Sequence, residues 1–242
     1  MQGYITSYES FATKEGPGIR FAVFMSGCNL RCAYCHNPDT WKQGKPVDSD
    51  ELVRLIVRYK PYFRGGGGVT FSGGEPLMQT AFVTEVARKL KEADIHIAID
   101  TSCGLLSESQ KELYKLCDLV IADLKFTSNA LYAEYCKNDV FDTVISTFRY
   151  LNEQNIPVWA RTVVVPGIND TETDISAAYG LIKDYPHIAK YELKPFHTMG
   201  FSKYGDLGIP NPLSDKQSLP EERLAALKKH LQHISKGRFS NY

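Results

Sequence analysis

Three cysteines constrain this chain more than any other feature. Cys28, Cys32 and Cys35 fall within eight residues, spaced C-x3-C-x2-C. Thiolates at such spacing hold one face of an iron–sulfur cluster, for which thiolate is the usual protein ligand. A four-iron cluster has four corners, so three cysteines leave one iron without a protein ligand and open to chemistry. Zinc with His36 as a fourth ligand is a second reading. The common zinc patterns, however, join a short cysteine pair to a second, distant pair, and Cys103, Cys117 and Cys136 stand apart from one another. Three core cysteines crowded into one tight loop is a third reading.

Composition narrows the setting. A chain of 242 residues with 43% hydrophobic residues is expected to form one domain, 1–242, with a substantial core. Lys+Arg and Asp+Glu both number 28, so no basic excess points to nucleic acid. Met1-Gln2-Gly3-Tyr4-Ile5-Thr6 lacks the basic-then-apolar pattern of a signal peptide, and no apolar run reaches membrane-spanning length. A cytoplasmic protein with no membrane partner is expected. There, six cysteines argue for metal or free thiols rather than disulfides. Cys117 and Cys136 read as packing residues.

Hydrophobic periodicity predicts strands at 19–26, 68–71, 95–99, 118–123, 157–165 and 190–193. It predicts helices over 48–59, 78–93, 107–116, 139–154, 173–184 and 220–234, with 206–218 as a linker to the last one. Strands alternating with helices, several of them apolar on both sides, indicate a parallel sheet covered by helices. In such folds working residues gather at the C-terminal strand ends. The cysteine loop, Gly73-Gly74-Glu75, Asp100-Thr101, Asp123-Leu124-Lys125 and His197 all lie there.

The longer pattern carries a resemblance. Glu15-Gly16-Pro17-Gly18-Ile19-Arg20 precedes the cysteine loop. Cys35-His36-Asn37-Pro38-Asp39-Thr40-Trp41 ends it, with Tyr34 before the last cysteine. Ser72-Gly73-Gly74-Glu75, Asp100-Thr101, Asp123-Leu124-Lys125, Arg161 to Pro166-Gly167 and Leu193-Lys194-Pro195-Phe196-His197 follow. Together these resemble the radical S-adenosylmethionine (SAM) enzymes. Within them they are most similar to the glycyl-radical-enzyme activases, those acting on pyruvate formate-lyase above all. The likeness runs to about Gly208. One position departs from it: the family's Asp before Gly-Pro-Gly is Glu15 here.

The resemblance implies an α/β fold, an open partial (β/α)6 barrel, in keeping with six predicted strands. It implies a 4Fe-4S cluster on Cys28, Cys32 and Cys35, with SAM on the open iron. It further implies reductive cleavage of SAM to a 5′-deoxyadenosyl radical, which takes hydrogen from a glycine of the partner, and a place in anaerobic glucose metabolism. The partner would be a glycyl radical enzyme, pyruvate formate-lyase, met through its glycine loop; the electron would come from a flavodoxin- or ferredoxin-type reductant. Residues 35–73 hold no cysteine beyond Cys35, which favours the short, single-cluster activases.

Particular residues acquire expected roles. Gly73 and Gly74 lack a Cβ and would let the backbone approach the ligand, and Glu75 would offer a carboxylate to the SAM amino group. Strand alternation puts Asp123 and Lys125 on one side, where buried charge must pair or meet ligand; the family sets Asp123, Leu124 and Lys125 against SAM. Asp100 and Asp123 brought together would raise each other's pKa unless a cation neutralised them. The resemblance implies a monovalent cation held by Asp100, Thr101 and Asp123. Arg161 would bind the SAM carboxylate with its donor fork, His197 the adenosyl portion, and Tyr34 and His36 the adenine. Two other classes compete: a small-molecule radical SAM enzyme, which needs an enclosed polar pocket, and an iron–sulfur electron carrier, which favours four protein ligands.

Overall fold

A computed structural model describes residues 1–239; residues 240–242 of the expected domain lie outside the described residues. Strands β1 (Gln2–Ala12), β2 (Arg20–Met25), β3 (Lys45–Asp48), β4 (Gly68–Gly73), β5 (His96–Thr101), β6 (Leu119–Asp123), β7 (Val158–Val164) and β8 (Ile188–Pro195) form one sheet in the order β3-β1-β2-β4-β5-β6-β7-β8. From β2 through β4 to β8 the neighbours are parallel. β1 is antiparallel to both β2 and β3. The sheet does not close: β3 and β8 are its edges. This is the expected six-stranded open barrel with two antiparallel strands added beside β2.

Alternation along each strand separates two cores. Phe21, Val23, Met25, Val69, Phe71, Ile97, Ile99, Val120 and Ala122 point outward and are buried under the helices. Helix α2 (Thr80–Glu92) contributes Phe82, Val83, Val86, Ala87 and Leu90 to that layer. Each Val, Leu, Ile, Phe or Met among them stabilises the fold by about 1.5–3 kcal/mol on burial. On the opposite, barrel-interior side, Ala98, Leu119 and Ile121 make a smaller core with Trp159 against it. Further along the same faces, at the C-terminal ends of β5 and β6 and the middle of β7, polar residues replace apolar ones: Asp100, Asp123 and Arg161.

Helices α1 (Ser49–Val57), α3 (Glu108–Tyr114), α6 (Glu172–Ile182) and α8 (Glu221–Ile234) fall within or beside their expected spans. Asp48 caps α1, its carboxylate accepting from Asp50 N and Glu51 N. The helix expected over 139–154 is α5 (Phe141–Glu153), and a further short helix, α4 (Asn129–Cys136), precedes it. Lys137, left-handed with φ 57°, ends α4. Residues 206 and 207 belong not to a linker but to α7 (Phe201–Leu207), ended by Gly208 with φ 64°.

Arg20 fastens the N-terminal end of the barrel. It is fully buried. Its Nε donates to Thr70 Oγ1 (2.5 Å), its Nη1 to Pro17 O (3.2 Å) and Gly66 O (3.1 Å), and its Nη2 to Val69 O (2.5 Å). One guanidinium thus ties the Gly16–Gly18 turn to the glycine-rich stretch entering β4. Arg20→Leu would strand those acceptors, so urea denaturation of the cluster-free protein should show a loss of about 3 kcal/mol. A loss below about 1 kcal/mol would remove this anchoring role.

Candidate cluster and cofactor site

The cysteine loop leaves the C-terminal end of β2, and tertiary contacts rather than regular structure hold it. Arg31 N donates to Cys136 O (2.8 Å) and Ala33 N to Tyr135 O (2.7 Å), both at the end of α4. From α7, Tyr204 OH donates to Cys35 O (3.0 Å), and Lys203 Nζ meets Asn37 Oδ1 and Asp39 Oδ1, each at 2.9 Å. Cys28, Cys32 and Cys35 are all free and half-buried. Burial pushes the Cys28 thiol up to about 12 and that of Cys35 to about 11. Cys32 goes the other way, to about 7, chiefly because the Cys136 thiol lies against it, with burial opposing and the Lys125 ammonium helping. The Sγ–Sγ distance is 3.6 Å. Cys136 therefore touches the cluster loop and is more than a packing residue. Sequence periodicity carried no signal for this contact between residues far apart in the chain.

These thiols fit an iron–sulfur cluster. A buried thiolate is costly unless a cation compensates it, and iron provides that compensation. Among the described residues no three His, Cys, Asp or Glu side chains close on one ion-sized point. A mononuclear zinc site would require that, whereas a four-iron cube takes each thiolate on a different iron.

Beside the loop the expected charged residues meet. Lys125 Nζ pairs with Asp123 Oδ2 (2.7 Å). Arg161 reaches Asp123 Oδ1 through Nε (3.1 Å) and Nη2 (3.0 Å), and its Nη2 also pairs with Asp100. Ser72 Oγ donates to Asp100 Oδ2 (3.1 Å). Burial raises the Asp123 pKa, but Arg161 and Lys125 together outweigh it and bring it to about 2. At Asp100 burial dominates and the net shift is upward, Arg161 opposing and Asp123 adding. The Arg161 guanidinium thus lies against both carboxylates expected to share a cation. Thr101 is not part of that group. It lies on the other face of β5, and its Oγ1 donates to Glu75 Oε1 (2.8 Å).

Glu75 and the Gly73-Gly74 turn also bond within the chain. Glu75 is fully buried and accepts four hydrogen bonds: from Leu77 N (3.1 Å), Thr101 Oγ1 (2.8 Å), Ser102 N (2.8 Å) and Ser102 Oγ (2.5 Å). These bonds tie it to the strand ends of β4 and β5. The Gly73-Gly74 turn also serves the chain itself. Gly73 has φ +97°, and a Cβ on Gly74 would stand 2.1 Å from Gly27 O. Gly74 N and Glu75 N donate to Met25 O (2.9 Å) and Gly27 O (2.8 Å), which sets the entrance of the cysteine loop. Leu124, opposite in facing to Asp123, is buried in the outer core.

Three aromatic residues complete the rim. The His36 and His197 rings stack at 3.9 Å and 23°. Burial, then His197 and Lys203, lower the His36 pKa to about 4. His197 Nδ1 is buried with no hydrogen-bond partner, as is the hydroxyl of Tyr34. The Tyr34 ring lies edge-on to Phe126, 6.0 Å between centroids, with Lys125 Nζ 6.0 Å from its own centroid. Orphaned polar atoms beside a cluster loop suit a bound polar molecule.

Known proteins match this arrangement. The family described as the Radical SAM superfamily matches residues 22–178, and the chain belongs to it. The chain is 40% identical over 233 residues to a pyruvate formate-lyase-activating enzyme of Staphylococcus epidermidis, covering 92% of each protein. It is 39% identical over 239 residues to one from Clostridium pasteurianum, covering 97% of this chain and 99% of that one. Among solved structures, Streptococcus suis SuiB bound to the precursor peptide SuiA superposes with a TM-score of 0.70 at 17% identity, over 89% of this chain and 46% of that one. That last likeness concerns the fold. Radical SAM enzymes use a 4Fe-4S cluster and SAM, and so does this chain.

Glu15, the departure from the family pattern, stands close to this network. Burial, then Asp100, raise its pKa to about 7 against the opposing Arg161. The unfolded chain loses this proton near 4.5, while the folded chain keeps it to about 7, so this group makes stability fall as pH rises across that window. Glu15→Gln should flatten the slope of the melting temperature between pH 5 and 7. Equal slopes in the two proteins would show that Glu15 ionises normally.

Proposed function

We propose that this chain activates a glycyl radical enzyme, pyruvate formate-lyase, by placing a radical on a glycine of that partner. The observation that carries the reading is the three-thiol loop beside half-buried Lys125 in a chain about two-fifths identical, over nearly its whole length, to proteins named for that activity. In this reading Cys28, Cys32 and Cys35 hold the 4Fe-4S cluster. When bound, the cluster supplies one electron to SAM, whose cleavage yields the hydrogen-abstracting radical.

The chain's own residues do the rest. Lys125, kept protonated by Asp123 although burial opposes it, presents a fixed positive charge beside the thiolates. Asp100 and Asp123, with Glu75 at the neighbouring strand end, set a carboxylate rim for the SAM amino group. Arg161 holds both acids in place and offers its fork to the SAM carboxylate. Tyr34, His36 and His197 line the adenosyl side, where neutral His36 and the free His197 Nδ1 suit an uncharged base. Burial of this rim keeps water from a reactive radical. A flavodoxin- or ferredoxin-type protein delivers the electron, in the cytoplasm. Among the described residues no helix is long and apolar enough to cross a membrane.

Anaerobic mixing with pyruvate formate-lyase, reduced flavodoxin and SAM should give the glycyl radical doublet by electron paramagnetic resonance. With the partner glycine deuterated at Cα, deuterium should enter 5′-deoxyadenosine. SAM cleavage without a doublet on pyruvate formate-lyase would assign a different partner. Lys125→Ala should keep its iron yet cleave SAM at least about tenfold more slowly, a barrier increase of about 1.4 kcal/mol. An unchanged rate would restrict Lys125 to pairing with Asp123.

A further inference from the structure

We propose that Cys136 sets the reduction potential of the cluster by donating an S–H···S hydrogen bond to the Cys32 sulfur. The inference rests on the cluster assignment above and adds a residue outside the three-cysteine loop. Cys136 is fully buried at the last turn of α4, with its Sγ 3.6 Å from that of Cys32. When both sulfurs are thiols, either can donate. Once Cys32 binds iron as a thiolate it has no proton to give. Cys136, buried and with no base of its own, keeps its proton. The direction of the bond then follows from which sulfur is the ligand.

The backbone holds this pair in register. The residues flanking Cys32 on either side, Arg31 and Ala33, donate their N–H groups to Cys136 O (2.8 Å) and Tyr135 O (2.7 Å). Asn138 Nδ2 adds a bond to Asn29 O (3.1 Å). Left-handed Lys137 ends the helix there, which leaves these two carbonyls free of intrahelical partners and turned to the loop. Cys32 is thus clamped from both sides by the segment that carries the donor thiol. A residue that only filled space would need no such clamp.

Reduction adds one electron to the cluster and makes its thiolate sulfurs more negative. A hydrogen bond to such a sulfur strengthens on reduction and favours the reduced form, so it raises the potential. Thiols are weak donors, which bounds the effect at about tenfold in the ratio of reduced to oxidised cluster, or 59 mV for a one-electron couple. A higher potential would let a milder reductant load the cluster before SAM arrives.

The test is a redox titration of the reconstituted cluster without SAM, followed by electron paramagnetic resonance, for wild type, Cys136→Ala, Cys136→Val and Cys136→Ser. All four should hold the same iron per chain. The Ala and Val variants should titrate at lower potential, by up to about tenfold in the reduced-to-oxidised ratio. The Ser variant, which keeps an O–H donor, should stay nearer wild type. Wild-type potential in Ala or Val overturns the proposal, as does an equal shift in Ser, which would mark a packing effect. Loss of iron from Ala and Val with the native circular dichroism spectrum would make Cys136 a ligand and overturn it too. If wild type assembles no cluster, the assignment beneath the proposal fails with it. A well-loaded cluster with unmoved potentials defeats the Cys136 inference alone.

Discussion

One carboxylate organises the working end of this molecule. Asp123 sits at the end of β6, half-buried, and holds two cations at once: Lys125 through one oxygen and Arg161 through the other. Arg161 in turn pairs with Asp100 on β5. Three adjacent strands are cross-linked by charge where the apolar interior of the barrel stops. Such a network adds little net stability, because desolvation offsets attraction, but removing one member leaves an uncompensated buried charge. Its value lies in position. It fixes Lys125 beside the cysteine loop and gives the barrel rim alternating signs, suited to a zwitterion such as the methionine end of SAM.

The cysteine loop depends on a second kind of support. Between β2 and the short turn at Pro38–Trp41 it has no ladder of its own. The C-terminus of α4 holds it from one side and α7 from the other, through main-chain carbonyls, Tyr204 and Lys203. The Gly73-Gly74 turn closes in on Gly27 at its entrance. Ordering a loop costs conformational entropy. These contacts offset part of that cost and help hold the thiols in place. The same contacts make the cluster environment sensitive to residues far from the cysteines in sequence, Cys136 being the clearest case.

Most of the barrel was legible because each parallel strand is an apolar run between turn signals, Val69–Phe71 and Ile97–Ile99 among them. The strands that escaped notice are those without such a run. β1 alternates buried Gly3, Ile5 and Ala12 with exposed Ser7, Tyr8 and Glu9, and β3 is four residues with Pro46 at the sheet edge. α4 and α7 are short and gain their reason from the loop they brace, which local periodicity cannot show. At the site, alternation placed Asp123 and Lys125 together correctly. Chemistry alone could not tell that Arg161 would lie between the two carboxylates, or that Glu75 would bond Ser102 and Thr101. Those are facts of tertiary contact.

If three thiolates hold a cluster whose fourth iron is left for SAM, electron–nuclear double resonance on the reduced, reconstituted protein with SAM labelled at its amino nitrogen and carboxylate should reveal it. Hyperfine coupling from both labelled groups to the cluster is expected, since each would be bonded to iron. A fully loaded cluster showing coupling to neither would contradict it and return the chain to the class of electron carriers.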